Sequence, residues 1–164
     1  MNDQHHIRVL LIDDEEALLE YLSKLLLKQG FTVKAAFSGE QALEVAKQDH
    51  YDVAVVDLKM PGIDGVETQK RLRDIQPFLQ CIVLTGHGSI DSALESGQQE
   101  AFQYLLKPVD YEALVNTIRE AYEKKQEIQG AKFREEVEKI QMSGLGPRGI
   151  RRAISELEKI YGIE

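Results

Sequence analysis

The stretch Tyr51-Asp-Val-Ala-Val-Val-Asp57, followed by Leu58-Lys59-Met60-Pro61-Gly62, decides the fold of this 164-residue chain. Its near-continuous apolar run is typical of a strand that is buried in a parallel sheet. The run brings the carboxylate of Asp57 to the carboxyl end of that strand, which is where open α/β sheets bind their ligands. The stretch therefore predicts a central strand with a functional site at its end.

Three further apolar runs also end in polar residues. Because the carboxyl ends of parallel strands lie along one edge of a sheet, we expect these polar side chains and Asp57 to lie close together. The runs are Ile7–Ile12, followed by Asp13 and Asp14; Cys81–Leu84, followed by Thr85 and Gly86; and Phe102–Leu106, followed by Lys107 and Pro108.

Apolar runs and segments of helical periodicity alternate along residues 1–123. This alternation predicts an α/β domain with a parallel sheet and helices on both faces. Five such units favour a flavodoxin-like, doubly wound sheet of strand order 2-1-3-4-5, whose switch point lies between strands 1 and 3. Strands are predicted to begin near Ile7, Phe31, Tyr51, Leu79 and Phe102. The first and fourth helices are predicted to cover residues 15–29 and Ser89–Ser96. The second, third and fifth helices are predicted to start at Ser38, Gly65 and Asp110.

Residues 124–164 differ in character and are predicted to form a helical C-terminal extension. The fifth helix is expected to continue into this segment, with an interruption at Gly130. Glycines and a proline at 143–147 then break the chain. Residues 148–161 predict a short amphipathic helix, whose apolar face we expect to pack against a partner or a second subunit because so short a helix is unstable alone.

Composition restricts the class of protein. Residues 1–123 carry 11 Lys/Arg against 21 Asp/Glu, whereas residues 124–164 carry nine against seven. The acidic part is not expected to bind nucleic acid directly. The chain shows no signal peptide and no apolar run of the ~20 residues that a membrane helix needs. The lone Cys81 cannot form an internal disulfide, which favours a reducing, cytoplasmic location.

The carboxylates at the predicted switch point suggest a metal site. Asp13, Asp14 and Asp57 would repel one another at close range, and a divalent cation relieves this repulsion. Oxygen ligands with room for water favour Mg²⁺. The ammonium of Lys107 and the hydroxyl of Thr85 could then bind phosphoryl oxygens, and a carboxylate is a competent phosphoryl acceptor.

These motifs resemble those of response-regulator receiver domains of two-component phosphorelays, and Thr85–Ala93 is similar to receivers of the nitrogen-regulator type. The likeness covers roughly residues 7–123 and rests on four motifs: Leu11-Ile-Asp-Asp-Glu15, Val55-Val-Asp57 through Gly65, Leu84-Thr-Gly-His-Gly88 and Tyr104-Leu-Leu-Lys-Pro108. It differs at Glu100, where the family usually has Gly, which suggests an irregular end to the fourth helix.

The resemblance implies a role for each site residue. Asp57 would be the phosphoacceptor. Asp14, Asp57 and the backbone carbonyl of Lys59 would bind Mg²⁺, with Asp13 as the outer acidic partner. The remaining roles concern the phosphoryl group and the switch: Lys107 would pair with the phosphoryl group across a cis bond to Pro108, and Thr85 and Tyr104 would form the switch pair.

Two functions from different classes follow, and a third is disfavoured. The first is a phosphorylation switch, not a turnover enzyme: Asp57 accepts a phosphoryl group from a histidine kinase or phosphotransfer protein, and this controls interaction with a downstream protein partner or formation of a homodimer. The alternative is the N-terminal part of a DNA-binding transcriptional regulator. A phosphatase of the haloacid-dehalogenase kind is disfavoured because Lys59 stands where such enzymes usually carry a second Asp. Arg148, Arg151 and Arg152 could contact nucleic acid, an acidic partner or only solvent.

Overall fold

The computed structural model describes residues 6–86 and 101–163, and its centre is a five-stranded parallel sheet. The strand order is β2-β1-β3-β4-β5, which confirms the predicted order 2-1-3-4-5. The strands are β1 Arg8–Ile12, β2 Thr32–Ala36, β3 Val53–Asp57, β4 Gln80–Thr85 and β5 Gln103–Leu106.

Five helices are described in addition to the strands. The helix predicted over Ser89–Ser96 and the irregularity expected at Glu100 lie outside the described residues. The described helices are α1 Glu16–Lys28, α2 Gly39–Gln48, α3 Gly65–Ile75, α4 Tyr111–Gln141 and α5 Pro147–Tyr161.

The sheet is buried on both faces. Val53 and Val55 of β3 belong to one apolar cluster, which includes residues of α1 and of the first turns of α4. Ala54 and Val56 of β3 belong to a second cluster on the opposite face, which includes residues of α2 and α3. Every residue of β3 is buried, so the strand holds the carboxylate of its last residue, Asp57, in a fixed place at the carboxyl edge of the sheet.

Side-chain caps begin two of the helices that flank the site. Ser38 Oγ accepts a hydrogen bond of 3.1 Å from the backbone N–H of Gln41 at the start of α2. Asp64 Oδ1 accepts one of 2.9 Å from the backbone N–H of Glu67 at the start of α3. Each such cap stabilises a helix by typically ~1 kcal/mol.

The interruption predicted at Gly130 is wrong, because α4 runs without a break from Tyr111 to Gln141. Glycine inside a helix costs only about 0.5–1 kcal/mol relative to alanine. Good helix formers surround it, and Glu135 accepts ion pairs from Lys132 at 3.8 Å and from Lys139 at 3.1 Å. A cost of this size from a single glycine is too small to interrupt a long helix of good helix formers.

The chain divides into two compact units, Met1–Lys124 and Lys125–Glu164. The first unit contains the sheet. In the second, the end of α4 and α5 form an antiparallel hairpin in which Gln129 Nε2 donates a 2.9 Å hydrogen bond to the carbonyl of Tyr161. Across the described ranges, no helix is both long and apolar enough to cross a membrane.

Candidate functional site

Three carboxylates meet at the carboxyl edge of the sheet. Ile12 pairs with Val56 in the parallel register of β1 and β3, which places Asp13 beside Asp57. Asp13 and Asp57 are buried, whereas Asp14 is exposed. One oxygen from each of these three carboxylates lies within 4.8 Å of the others. The structure therefore brings together the three acidic residues that the sequence singled out.

The ammonium of Lys107 faces this acidic cluster. Its Nζ donates a 2.9 Å hydrogen bond to Asp13 Oδ2 and lies 3.5 Å from Asp57 Oδ2. The backbone N–H of Lys107 donates a 2.8 Å hydrogen bond to the carbonyl of Thr85, which anchors the lysine to the end of β4. The Lys107–Pro108 peptide bond is cis. One cation thus sits against two of the three carboxylates.

Burial and charge shift the pKa values of the central pair. Burial, and then the charge of Asp13, raise the pKa of Asp57 to about 6 against the opposing effect of Lys107. For Lys107, burial works to lower the pKa, but the hydrogen bond and charge of Asp13 outweigh it and the net shift is upward. Lys107 therefore stays a cation, and like-charge repulsion persists among the carboxylates.

The loop after β3 is tied down on two sides. The backbone N–H of Lys59 donates a 3.3 Å hydrogen bond to Asp57 Oδ1. Glu40 of α2 accepts a 3.0 Å hydrogen bond at Oε1 from the backbone N–H of Ile63, and this bond holds the pKa of Glu40 below its ordinary value. Gly62 between them has φ +80°, a conformation that favours glycine. These contacts fix the segment that carries the Lys59 carbonyl.

Thr85 and Tyr104 lie on neighbouring strands. Thr85 is only 1% exposed at the end of β4, and its hydroxyl donates a 3.3 Å hydrogen bond to the carbonyl of Gly86. Tyr104 pairs in register with Val83 and packs with Val83 and Leu58. Burial raises the pKa of the Tyr104 phenol. Thr85 thus belongs to the acidic edge, whereas Tyr104 lies further back along its strand.

Gly65, predicted from the sequence only to start a helix, is also a residue of the site. A Cβ at this position would lie 2.3 Å from the carbonyl oxygen of Asp57 and 2.8 Å from Leu58 Cα. The backbone N–H of Gly65 also donates a 3.0 Å hydrogen bond to the carbonyl of Leu58. The first turn of α3 can approach Asp57 this closely only because no side chain stands there. In the sequence, the signal that could have indicated this close contact is a glycine directly after Asp64, the N-cap residue of α3.

The residues present fit a hard divalent cation. The donors are three carboxylates within reach of one another, and such oxygen ligands suit Mg²⁺. Asp14 is exposed and leaves the site open to solvent on one side. Asp13 has one oxygen committed to the backbone N–H of Glu15 at 2.9 Å and the other to Lys107. Asp57 is held by longer contacts, 3.3 Å from the backbone N–H of Lys59 and 3.5 Å from Lys107, so Asp14 and Asp57 are more available than Asp13 to bind a metal.

Comparison with known proteins gives one family. The family model described as the response regulator receiver domain matches residues 9–119. A receiver domain protein from Clostridium thermocellum has a solved structure that superposes with a TM-score of 0.69 at 33% identity, covering 74% of this chain and 98% of that one. The matched region contains Asp13, Asp14 and Asp57 of the acidic cluster, as well as Lys107.

Curated relatives are longer than this chain. The chain is 36% identical over 129 residues to the transcriptional regulatory protein GlrR of Escherichia coli (strain K12). The matched region covers 79% of this chain and 29% of GlrR. The chain is 36% identical over 111 residues to the response regulator protein FleR of Pseudomonas aeruginosa, covering 68% of this chain and 24% of FleR. The chain spans less than a third of the length of either relative.

Proposed function

Because the chain belongs to the response regulator receiver family, we propose that Asp57 accepts a phosphoryl group from the phosphohistidine of a histidine kinase or a phosphotransfer protein. The observation that carries this assignment is the buried Asp57 carboxylate, 3.5 Å from the Lys107 ammonium and within reach of Asp13 and Asp14. Receivers of two-component systems are phosphoacceptor switches. The reaction assigned to Asp57 is therefore one transfer per signal, with slow self-hydrolysis of the acyl phosphate.

The transfer step follows from the side chains present. A carboxylate oxygen of Asp57 forms a bond to phosphorus while the bond from phosphorus to the histidine nitrogen of the donor breaks. Lys107 balances the negative charge on one phosphoryl oxygen, and the hydroxyl of Thr85 donates to another. Because phosphoryl transfer needs mainly positioning and charge stabilisation, Lys107 and Thr85 supply the kind of groups that the reaction requires.

The acidic edge would hold Mg²⁺ through Asp14, Asp57 and the backbone carbonyl of Lys59, with Asp13 as the outer acidic partner. Bound there, the ion supplies positive charge to the incoming phosphoryl group. Glu40 and Gly65 support this arrangement from α2 and α3, since they fix the loop and the backbone that carry Lys59 and Asp57. Lys107 already occupies one oxygen of Asp13.

The output assigned to the switch is a change in protein–protein interaction within the cytoplasm. On phosphorylation Thr85 moves toward the phosphoryl oxygen, and Tyr104 rotates into the space that Thr85 leaves. In the structure Tyr104 is partly buried and packs against Leu58 and Val83. The second unit, residues 125–164, would serve as the appendage through which a homodimer or a downstream protein is engaged.

A second candidate function is the N-terminal part of a DNA-binding transcriptional regulator. The observation that favours it is the length of the relatives, since GlrR is named a transcriptional regulatory protein and the chain covers 29% of it. Both candidates use the same phosphorylation site. They differ in whether the output is carried by residues 125–164 or by a further domain.

Beryllofluoride, a phosphoryl mimic, tests the switch without a kinase. With Mg²⁺, we expect it to shift the amide NMR resonances of Thr85, Tyr104 and Lys107 in the wild-type protein and to leave the Asp57→Asn variant unchanged. Sedimentation velocity on the same samples then reports whether the activated chain becomes a dimer. Unchanged wild-type spectra would contradict the proposal.

A further inference from the structure

One side of helix α5 is apolar and packs against α4, whereas another side is cationic and exposed. Ile150, Ile154, Leu157 and Tyr161 follow a spacing of four, three and four residues, which places them on one face. The ring of Tyr161 meets that of Phe133 edge-on, with centroids 5.4 Å apart. The hydroxyl of Tyr161 donates a 2.8 Å hydrogen bond to Glu136. This face therefore lies against the C-terminal part of α4.

The opposite side of α5 is the cationic face. At about 100° per residue, most of its members fall on the far side of the helix from Ile154 and Leu157, while Arg151 lies at the flank of the face, about 60° from Ile154. All of its members are exposed, and the side chain of Arg152 is 84% exposed. The cationic face consists of Arg148, Arg151, Arg152, Ser155 and Lys159.

Most charges of the cationic face have no counter-charge. Arg148, Arg151 and Lys159 form no ion pair with any residue in the ranges 6–86 and 101–163. Arg152 has one carboxylate nearby, Glu156, at 3.6 Å. By contrast, the α4 residues Lys132 and Lys139 both pair with Glu135. In the same hairpin, two lysines of α4 thus share one carboxylate, whereas three of the four cations on the α5 face have no ion-pair partner in the described ranges.

The start of α5 adds to this positive potential. The N-cap Gly146 offers no side chain to the free N–H groups of the first turn, and no acidic residue stands in that turn. The first turn of a helix carries a partial positive charge from its unpaired N–H groups. Together with Glu156, the members of the cationic face line an open concavity of about 480 Å³.

We propose that the cationic face of α5 binds the phosphate backbone of double-stranded DNA, independently of base sequence. Arginine and lysine side chains, a serine hydroxyl and a helix N-terminus are all common donors to phosphate oxygens. From Arg148 to Lys159 the face extends about 16 Å at 1.5 Å per residue, so one straight helix can lie along a strand of phosphates. This inference rests on charge and geometry, not on the function proposed for Asp57.

Two further features favour a duplex over other polyanions. Binding of single strands depends on aromatic side chains that stack on bases, and the cationic face has none, since Tyr161 is turned toward Phe133. Arginine, three of the four cations here, has a planar fork that matches phosphate geometry. The acidic composition of residues 1–123 limits the affinity, but the contact belongs to α5 alone.

The size of the effect follows from the number of cations. Each neutralised phosphate contributes about −0.9 to the slope of log affinity against log salt, so four cations give a slope of roughly −3 to −4. Affinity in the range of non-specific binding is expected, with Kd on the order of 10⁻⁴–10⁻⁶ M.

Fluorescence anisotropy of a labelled duplex, titrated with the full chain at several salt concentrations, tests the proposal. The diagnostic variant is R148Q/R151Q, which removes two unpaired charges. The matched control is K132Q/K139Q, which removes two ion-paired charges from the same unit. Glutamine has nearly the helix propensity of arginine and lysine, and circular dichroism checks that both variants remain folded.

We expect R148Q/R151Q to weaken binding at low salt by roughly tenfold or more and to reduce the salt slope by about 2, while the control binds like the wild type. Three results would overturn the proposal: no binding of the wild-type chain even at low salt, equal loss in both variants, or a slope near zero. Retention on poly-glutamate that depends on Arg148 and Arg151, without DNA binding, would overturn it in favour of an acidic protein partner.

Discussion

Lys107 donates a 2.9 Å hydrogen bond from its ammonium to the buried carboxylate of Asp13. The two residues are joined across the sheet edge, and the same ammonium lies 3.5 Å from Asp57. The cation thus sits where a phosphoryl oxygen on Asp57 would develop charge. Its position is set by the register of β5 against β4, with Leu106 opposite Thr85.

Replacing Lys107 by Gln removes this charge and is expected to slow acyl phosphate formation from acetyl phosphate by at least about tenfold, since fixed electrostatic donors are commonly worth more than that in transfer reactions. The rate of phosphoryl incorporation, followed by intact-protein mass spectrometry, checks this. Lys70→Gln, which removes an exposed lysine of α3, is the control. An unchanged rate in Lys107→Gln would remove the lysine from the mechanism.

Asp57→Asn is expected to stabilise the metal-free protein. Burial and the charge of Asp13 raise the pKa of Asp57 to about 6, so the folded state binds this proton more tightly than the unfolded chain does. The stability that protonation contributes is present at low pH and is lost as the pH rises through about 6. Near neutral pH the neutral Asn should therefore raise the free energy of unfolding by roughly 1–2 kcal/mol.

Urea unfolding in a chelator, with exposed Asp74→Asn as the control, measures this difference. Added Mg²⁺ should stabilise the wild-type protein and have little effect on Asp57→Asn, because the variant loses a carboxylate ligand. The close approach of the three carboxylates, with one oxygen of each within 4.8 Å of the others, implies mutual repulsion. If Asp57→Asn is no more stable than the wild type without metal, this repulsion is absent.

The acidic site was predictable because its residues follow apolar runs. Each strand is visible in the sequence as an apolar run, and the parallel topology of such strands predicts that Asp13 and Asp57 lie together. The alternation of strand and helix predicted the parallel sheet, and five such units favoured the order 2-1-3-4-5. Local pattern and topology agree here, so the prediction needed no knowledge of side-chain contacts.

Other features depend on distances that no local pattern encodes. The close approach of Gly65 to the Asp57 carbonyl and the hydrogen bond from Ile63 to Glu40 join segments through tertiary packing. The interruption predicted at Gly130 was wrong for the opposite reason, since a local preference of only about 0.5–1 kcal/mol did not decide the course of the long helix α4. The charge of α5 was visible, but its lack of counter-charges required the structure.

Gly65→Ala is expected to destabilise the protein by roughly 1–3 kcal/mol, because its Cβ would overlap the Asp57 carbonyl and force the backbone apart. The shift should also weaken the binding of Mg²⁺, measured by calorimetry. Gly130→Ala is the contrasting variant, since its Cβ would meet nothing closer than Arg134 at 3.4 Å. It should stabilise the chain by about 0.5–1 kcal/mol. Equal effects of the two changes would argue against the close packing at Gly65.

Cys81 is expected to be inert in the folded protein. The thiol is 2% exposed in β4, and burial raises its pKa to about 12. Because the thiolate is the reactive form, a disulfide reagent at mildly alkaline pH should label the folded chain slowly and the urea-unfolded chain rapidly. Rapid labelling of the folded chain would show that β4 opens readily or that Cys81 is more exposed than 2%.

The central claim is that Asp57 is the phosphoacceptor, and incorporation of phosphate tests it most directly. The protein is incubated with Mg²⁺ and acetyl phosphate, and its mass is measured intact for the wild type, Asp57→Asn and exposed Asp74→Asn. The account predicts the mass of one phosphoryl group on the wild type and on Asp74→Asn, and none on Asp57→Asn. An Asp57→Asn variant that still gains one phosphoryl group would contradict it.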